Sequence, residues 1–437
     1  MIRILYLLLA LMTCCTLHAA DDGALVLPPI TGKEGAEPIA VVPFTWQSAG
    51  VPDSNDVAQI IRSDLNRSGA FNALRDDRYI ELPGRGEEIK FDTWRLLKQA
   101  YIVVGRVVDN PDGTYRVEFE LFNVTSQQRM IGLALAGRRD DMRAVAHQIA
   151  DLIYEKIKGV RGAFHTRIAY VTSVGPLRAQ KYRLVVADSD GFNPQTVIQS
   201  VEPLLSPAWS PDSKRLAYVS FERGNSAIYI QEIASGARRL VSSFKGINGA
   251  PAFSPDGTKM AMTLSRSGNP EIYTLDLASN TYTQITKSFA IDTEAVWMPN
   301  GNELLFTSDR GGRPQIYKVS ARGGEPVRVT FEGTENARAS VSADGKKIAV
   351  AQGQSSLYHV AVLDRERGEP GVVRQVSQGR LDESPSFAPN GSMILYAARE
   401  GSRGVLYAVA ADGSVRQKLA FAEGDVREPA WSPFRQR

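Results

Sequence analysis

A short pattern, PAFSPDG at Pro251–Gly257, recurs in variant form through the C-terminal part of the chain. Pro207–Ser213 reads PAWSPDS, Ala295–Gly301 AVWMPNG, Ala339–Gly345 ASVSADG, Pro385–Gly391 PSFAPNG and Pro429–Pro433 PAWSP. The starts at 207, 251, 295, 339, 385 and 429 are spaced by 44, 44, 44, 46 and 44 residues. A unit of this length cannot bury its own apolar face and must stack on neighbours. With short strands and turn residues at fixed offsets, it reads as the blade of a β-propeller.

The repeat starting at Pro251 shows the grammar. Ala252–Phe253 is expected as a short inner strand, and Ser254-Pro255-Asp256-Gly257 as a turn in which Pro presets φ and Gly relieves strain. Lys259–Leu264 and Ile272–Leu277 are the second and third strands, separated by a polar loop, and Tyr282–Thr286 is the outer fourth. Tyr229, Tyr273, Tyr317 and Tyr407 each fall 22 residues after their repeat starts, which argues for a packed position between blades. The last repeat stops at Arg437, after one strand. At the other end, Arg167–Val171 (RIAYV) matches the second strand Arg215–Val219 (RLAYV), so residues 164–200 form a blade lacking its first strand. PAWSP supplies that strand, sealing a six-bladed ring without a free edge.

Residues 38–160 have a different, mixed periodicity. Ile39–Val42 is a buried strand. Asp53–Ser68 is helical, with Val57, Ile60, Ile61 and Leu65 on one face, Asp53 or Ser54 as cap and Gly69 at the end. Asp92–Gln99 is a short helix with Trp94 and Leu97 inward. Tyr101–Val108, Tyr115–Val124 and Gln128–Ala136 are successive strands of an antiparallel meander, and Met142–Lys158 is the longest helix, closed by Gly159. The expected organisation is therefore a signal at 1–19, an arm at 20–37, an α/β domain with a mixed sheet at 38–160, and an all-β six-bladed propeller at 164–437, closed by the C-terminal strand.

The first residues, MIRILYLLLALMTCCTLHA, have a positive start at Arg3 and an apolar stretch at Leu5–Met12, too short to span a bilayer. Cleavage is expected after Ala19, with Ala20 the rival. The competing reading is acylation at Cys14 or Cys15, but Thr13 suits it poorly. Both cysteines of the chain lie in this segment, so the mature chain has no disulfide, thiol chemistry or Cys-bound zinc. Export into an oxidising compartment then leaves the packed core alone to stabilise the fold. No second long apolar run is present, so a mature protein not embedded in a membrane is expected; a monomer is expected as well. The formal charge of +3, with no concentrated Lys/Arg block, argues against a nucleic-acid partner. In the arm, Leu25-Val26-Leu27 is an apolar island between Asp21-Asp22-Gly23-Ala24 and Pro28-Pro29, fit to donate a short strand.

Catalysis is not expected. His147, His165 and His359 fall on separate elements, which places them far apart, and no G-x-S-x-G elbow exists. No cofactor or metal is expected either. Asp188-x-Asp190-Gly191 resembles the opening of a calcium loop, but Gln199 stands at its twelfth position, so it reads as a strand-end turn. Asn123-Val124-Thr125 is a sequon by pattern alone. The loops leading into the inner strands are expected at the channel mouth. There, three residues before the repeat starts, stand Asn248, Asp292, Asn336 and Asp382, with Thr293, Glu294, Glu383 and Glu428 beside such positions. Arg223, Arg266, Arg310, Arg313, Arg399 and Arg403 occupy loops further out on that face. An acidic centre with a basic rim is a docking surface of defined charge. A propeller peptidase or lyase, and a peptidoglycan-binding propeller, are the competing classes.

NGAPAFSPDG (248–257), SDRGGRPQIYKVS (308–320), LDESPSFAPNG (381–391), NPDGTYRV (110–117) and GAFHTRIAYV (162–171) resemble the TolB family, periplasmic components of the Tol–Pal system of Gram-negative bacteria. The resemblance spans both domains. It implies a non-enzymatic adaptor that binds the lipoprotein Pal through the propeller mouth and the C-terminal domain of TolA through the mature N-terminal arm. Such an adaptor serves outer-membrane integrity and constriction during cell division, and some colicins exploit its mouth. It carries Pal contact onto Asn248, Ala250, Thr293 and Glu294. Ile247, Gly249, Asp292, Asn336, Asp382, Glu383 and Glu428 complete the expected mouth, and Asp21–Leu27 the TolA-binding arm. Ile247 stands where some relatives have a His, and the arm is shorter in β-prone sequence than the family leads one to expect.

Overall fold

The computed structural model describes residues 35–47, 56–176, 179–366, 368, 371–419 and 424–435. The signal, the Ala19 cleavage point and the arm at Asp21–Leu27 lie outside these residues.

The N-terminal sheet contains strands β1 (Glu37–Val41), β2 (Thr45–Gln47), β3 (Phe71–Ala73), β4 (Tyr101–Asp109), β5 (Tyr115–Asn123) and β6 (Gln128–Gly137). Its order is β3-β1-β4-β5-β6, with β2 also pairing β4; β1 runs parallel to both neighbours, and β4-β5-β6 is the antiparallel meander. Helices α1 (Val57–Arg67), α2 (Phe91–Leu96) and α3 (Met142–Lys158) cover it. Ile39 and Val41 join a cluster under α1 and α3, while Ala40 and Val42 join Trp94 on the opposite face. A strand buried on both sides has to be continuously apolar, which explains the run IAVV. The cap of α1 is Asp56, whose Oδ1 accepts from the Ala58 amide at 2.9 Å, a start later than expected from Asp53 or Ser54. Gly159 ends α3 in the left-handed conformation, φ +75°. The two three-residue strands β2 and β3 escape a periodicity argument because they are too short to show a period.

Beyond α3 the described residues form six four-stranded antiparallel sheets. Their inner strands are Leu204–Trp209, Asn248–Phe253, Asp292–Trp297, Glu335–Val341, Glu383–Phe387 and Asp425–Trp431. These begin earlier than the short inner strand expected at Ala252–Phe253. The core is a ring of apolar clusters, each shared by two adjacent blades: Val219 and Ile230 pack with Met262 and Leu275, and Ala261 and Ile272 with Phe306 and Tyr317. Tyr229, Tyr273 and Tyr317 are buried in such clusters, and Tyr407 packs beside one. The blade turns pin themselves: Ser254 Oγ donates to Asp256 at 2.6 Å and accepts from the Lys259 amide at 2.9 Å, while Gly257 takes φ +71°.

Asp425–Trp431 pairs antiparallel with Arg167–Val174, Ala430 facing Ala169 and Trp431 facing Ile168. Ser432 extends the ladder, its amide donating to Arg167 O at 2.8 Å and its Oγ accepting from Arg167 N at 3.0 Å. Trp431 is buried between the first and last parts of the ring, and its indole donates to Thr166 Oγ1 at 2.8 Å. Trp431→Ala is expected to cost about 3–5 kcal/mol, the usual loss for a buried tryptophan. Urea unfolding measures it, and an unchanged midpoint would refute closure by this strand.

Candidate docking site

Each inner strand contains a β-bulge where its register against the second strand shifts. The bulge places one non-glycine residue per blade at positive φ: Ser206, Ala250, Glu294, Arg338, Ser384 and Glu428, with φ between 45° and 56°. Such conformations cost of order 1–3 kcal/mol for ordinary residues and persist where the surroundings dictate them. Here they aim a side chain at the axis of the ring. All six residues line a central cavity of about 640 Å³, together with Trp209, Phe253, Trp297, Phe387 and Trp431.

Arg338 bridges the charges of this inner ring. Its Nε lies 2.9 Å from Glu294, an NH2–carboxylate distance of 3.7 Å joins it to Glu428, and its NH1 donates to Ser384 Oγ at 2.5 Å. Glu428 also accepts from the Ser206 amide, and Glu294 from Thr307 Oγ1 at 3.1 Å. Burial works against the Arg338 charge, but Glu294, Glu428 and the nearby Glu383 hold its pKa above the ordinary arginine value. Glu294 is thus paired on a strand bulge. The expected acidic centre also holds a guanidinium, which bridges two of its carboxylates.

The polar residues three positions before each repeat start have a different task. Asn248, Asp292, Asn336 and Asp382 are buried. Asn248 Oδ1 accepts from Ser242 Oγ at 2.7 Å and the Phe244 amide at 2.9 Å. Asn336 Nδ2 donates to Gln315 Oε1 and Glu332 O, and Asp382 accepts from the Gly379 amide at 2.7 Å. Asp292 is held by two bonds from Arg310, at 3.0 and 2.8 Å. Asn248, Asn336 and Asp382 pin the loop arriving from one blade's outer strand to the next blade's inner strand and satisfy backbone groups that burial would leave unpaired, whereas Asp292 ties its inner strand to the arginine of its own blade. They are not exposed loop groups, as expected from sequence. The arginine rim is likewise engaged: Arg310 on Asp292, Arg313 at 3.5 Å from Glu335, Arg266 stacked 4.3 Å from the Phe244 ring centroid.

The surface around these pins exposes large apolar side chains beside charged ones such as Lys245, Lys287 and Arg380. Ile247, Ile291 and Leu381, each immediately before a pinned residue, are 47%, 50% and 43% exposed. Phe331 is 60% exposed, and Phe289 and Val201, on equivalent connections, also project into solvent. Thr293 approaches Thr263 with their hydroxyls 3.2 Å apart, and a side chain added at Gly249 would come within 4 Å of Ile247 alone, chain neighbours aside. Apart from Ile247, sequence reasoning missed this collar because it searched the loops for charge. The signal was a large apolar residue at a loop position, repeated at 247, 291 and 381. The α/β domain sits away from it: Asn390 and Ser189, which receive or make its contacts, lie on the turns at the opposite ends of the strands.

A histidine pair departs from expectation. His147 and His165 both lie at the junction of the two domains, where Gln148 Nε2 is 3.4 Å from His165 Nε2; His359 is remote, on the strand Leu357–Asp364. The expected separation of all three holds only for His359. Burial, then the charges of Arg435, His147, Arg161 and Arg167, push His165 down to about 3, so it stays neutral.

Architecture and site define a closed six-bladed propeller that carries an α/β domain on one face and a collared mouth on the other. The model of the TolB beta propeller domain matches residues 154–435, and that of the TolB amino-terminal domain residues 30–130. The chain is 67% identical over 416 residues to the Tol-Pal system protein TolB of Xanthomonas euvesicatoria pv. vesicatoria, covering 95% of this chain and 94% of the relative. It is 65% identical over 434 residues to that of Xanthomonas campestris pv. campestris strain B100, covering 99% and 98%. The crystal structure of TolB from Acinetobacter baumannii superposes with a TM-score of 0.85 at 42% identity, covering 93% of this chain and 99% of that one. The chain belongs to the TolB family of non-enzymatic β-propeller proteins.

Arg310→Ala leaves the fully buried Asp292 carboxylate without its cation. Stability is expected to fall by about 3 kcal/mol, the low end for a broken buried pair because the guanidinium is partly exposed. Denaturant unfolding reads it; a loss below about 0.5 kcal/mol would show that the pair pins nothing.

Proposed function

We propose that this protein is a periplasmic adaptor of the Tol–Pal system, docking the lipoprotein Pal on the collared propeller mouth and the C-terminal domain of TolA on its N-terminal arm. The observation that carries the reading is the collar, an exposed apolar ring around a charged and paired centre, on the face the α/β domain leaves open. Apolar groups clustered around polar anchors are what a protein partner of defined shape requires. Membership of the family supports the choice of partner, since the Xanthomonas relatives are named as Tol-Pal system proteins. Among the described residues no helix is long and apolar enough to cross a membrane.

Within the mouth the roles divide. Ile247, Gly249, Ala250, Thr293 and Glu294 offer surface to Pal, with Glu383 and Glu428 setting charge near the axis. Asn248, Asp292, Asn336 and Asp382 hold the shape from beneath. The arm, through Leu25-Val26-Leu27, adds a strand to an open sheet edge of TolA; Pro28 lacks an amide hydrogen and limits the pairing. Ordering an arm costs roughly 1–2 kcal/mol per residue, which keeps that link modest in affinity and reversible. Linking Pal and TolA in this way serves outer-membrane integrity and constriction at division.

Ile247→Asp combined with Glu294→Arg is expected to weaken binding of lipid-free Pal at least tenfold in calorimetry, with the fold retained by circular dichroism. Wild-type affinity in that variant would move the site elsewhere. Deleting residues 20–30 from the mature chain is expected to abolish TolA binding and leave Pal binding intact. Undiminished TolA binding would assign that contact to the α/β domain instead.

A further inference from the structure

The junction between the α/β domain and the propeller encloses a charged network around His147, on α3. The imidazole is buried. Its Nδ1 lies 2.5 Å from Asp64 of α1, and its Nε2 faces Asp190, 3.5 Å away, on the propeller turn after the strand Lys181–Asp188. Two guanidinium groups flank the pair. Arg67 of α1 bonds Asp64 at 3.0 Å and donates to Ser189 O and Oγ of the propeller at 3.0 and 2.7 Å. Arg143 of α3 bonds Asp190 at 2.5 Å and stands 4.0 Å from Asp188. The linking segment closes the site: Asp151 of α3 accepts from the Phe164 amide at 2.7 Å, and Ser189 Oγ donates to Phe164 O at 2.7 Å.

We propose that His147 is a proton-operated latch between the two domains. Its imidazolium donates from Nδ1 to Asp64 and turns a positively charged Nε2–H toward Asp190, tying the α/β domain to the propeller by one hydrogen bond and one ion pair. Loss of the proton removes one donor and the central positive charge, leaving two carboxylates to face each other across a neutral ring. The Nε2 atom is buried and lacks a closer acceptor than Asp190, so it is placed to report the proton. Asp64, His147 and Asp190 also present their ligand atoms within 4.8 Å of one another, a spacing a cation could use. Both carboxylates are already held by guanidinium groups, however. A divalent ion would face Arg67 and Arg143 at close range, whereas a proton sits within the existing bonds.

The charges facing the ring set the direction. Burial disfavours the imidazolium, but Asp64 and Asp190 outweigh burial and Arg67, holding its pKa above the usual histidine value. Burial would raise Asp190, yet His147, Arg143 and Arg67 hold it low, so it stays ionised. Burial raises Asp188, and raises Asp151 to about 6. His165 stays neutral throughout. A raised folded-state histidine pKa gives stabilisation that is complete below about pH 6.5 and fades as pH rises through the raised value. Asp151 acts in the same sense but at lower pH, its cost developing from about pH 4 to 6 as it ionises inside the fold. The latch is therefore tight in mildly acidic surroundings and loosens on the alkaline side, after Asp151 has finished titrating.

The test uses the full mature chain. Hydrogen exchange, corrected for the intrinsic pH dependence of amides, is followed by mass spectrometry in segments 160–166 and 187–193 from pH 6 to 9. Nitrogen NMR of the His147 ring gives its titration in the unaltered protein. The wild type is expected to lose protection at least tenfold across this range, tracking the His147 titration. His147→Gln is expected to show weak protection at every pH and no such slope, while Asp151→Asn keeps the slope above pH 7. Constant protection in the wild type, an unaltered slope in His147→Gln, or a ring that does not titrate between pH 6 and 9 would each overturn the latch. So would added zinc restoring protection at pH 9, which would make the trio a cation site.

Discussion

The pairing of Asp425–Trp431 with Arg167–Val174 is the contact on which the ring depends. Each blade buries its apolar face only against its neighbours, so an open array would expose two faces and two strand edges. Joining the ends removes both liabilities at once and completes the cluster in which Trp431 packs beside Ile168, Leu395 and Leu406. No disulfide can share this task, because the two cysteines lie at Cys14 and Cys15, before the expected cleavage point. The closure must be non-covalent, and it is reinforced beyond the ladder. Ser213, which takes the left-handed position that glycine fills in sister turns, donates to Pro433 O at 3.1 Å.

Closure also explains the geometry of the mouth. Six inner strands converging on one axis leave room for only a few side chains, and the bulge in each strand selects which one enters. At Glu294, Arg338 and Glu428 the selected side chains are charged, and one guanidinium bridges two carboxylates, leaving a net negative charge. The next positions outward are pinned by buried Asn and Asp. Apolar groups such as Ile247 and Phe289 are left exposed around this paired centre. Burial of such groups drives association, while the paired centre restricts which partner fits.

Much of the fold was legible because its signals are local and repeated. The 44-residue period gave the blades, and the match of RIAYV to RLAYV gave the closure. The α3 limits followed from an amphipathic run ending in glycine. The site was less legible, for a physical reason. An Asp at a loop position reads the same whether it faces solvent or accepts two bonds from an arginine eighteen residues later, as Asp292 does. Likewise His147 and His165 are eighteen residues apart on different elements, and only the fold of the linking segment brings them to one junction. Asp190 was readable as a turn residue, but not as a partner of α3.

The closing strand also has a position no other inner strand shares. At its mouth end Glu428 belongs to the charged ring with Arg338. At its far end Trp431 bonds Thr166, whose hydroxyl donates to Ala163 O in the segment linking the domains. Just beyond, Phe434 lies under Arg161, which donates to Arg435 O. One strand therefore runs from the face proposed to dock a partner to the junction that holds the α/β domain. A continuous contact path is not in itself coupling, because coupling requires an element with two arrangements of similar free energy. Packed apolar blades do not supply one. A buried imidazole between two carboxylates does, since a single proton decides whether a positive charge stands between Asp64 and Asp190. The place where this molecule can respond to its surroundings is thus the polar junction beside the ring's seam.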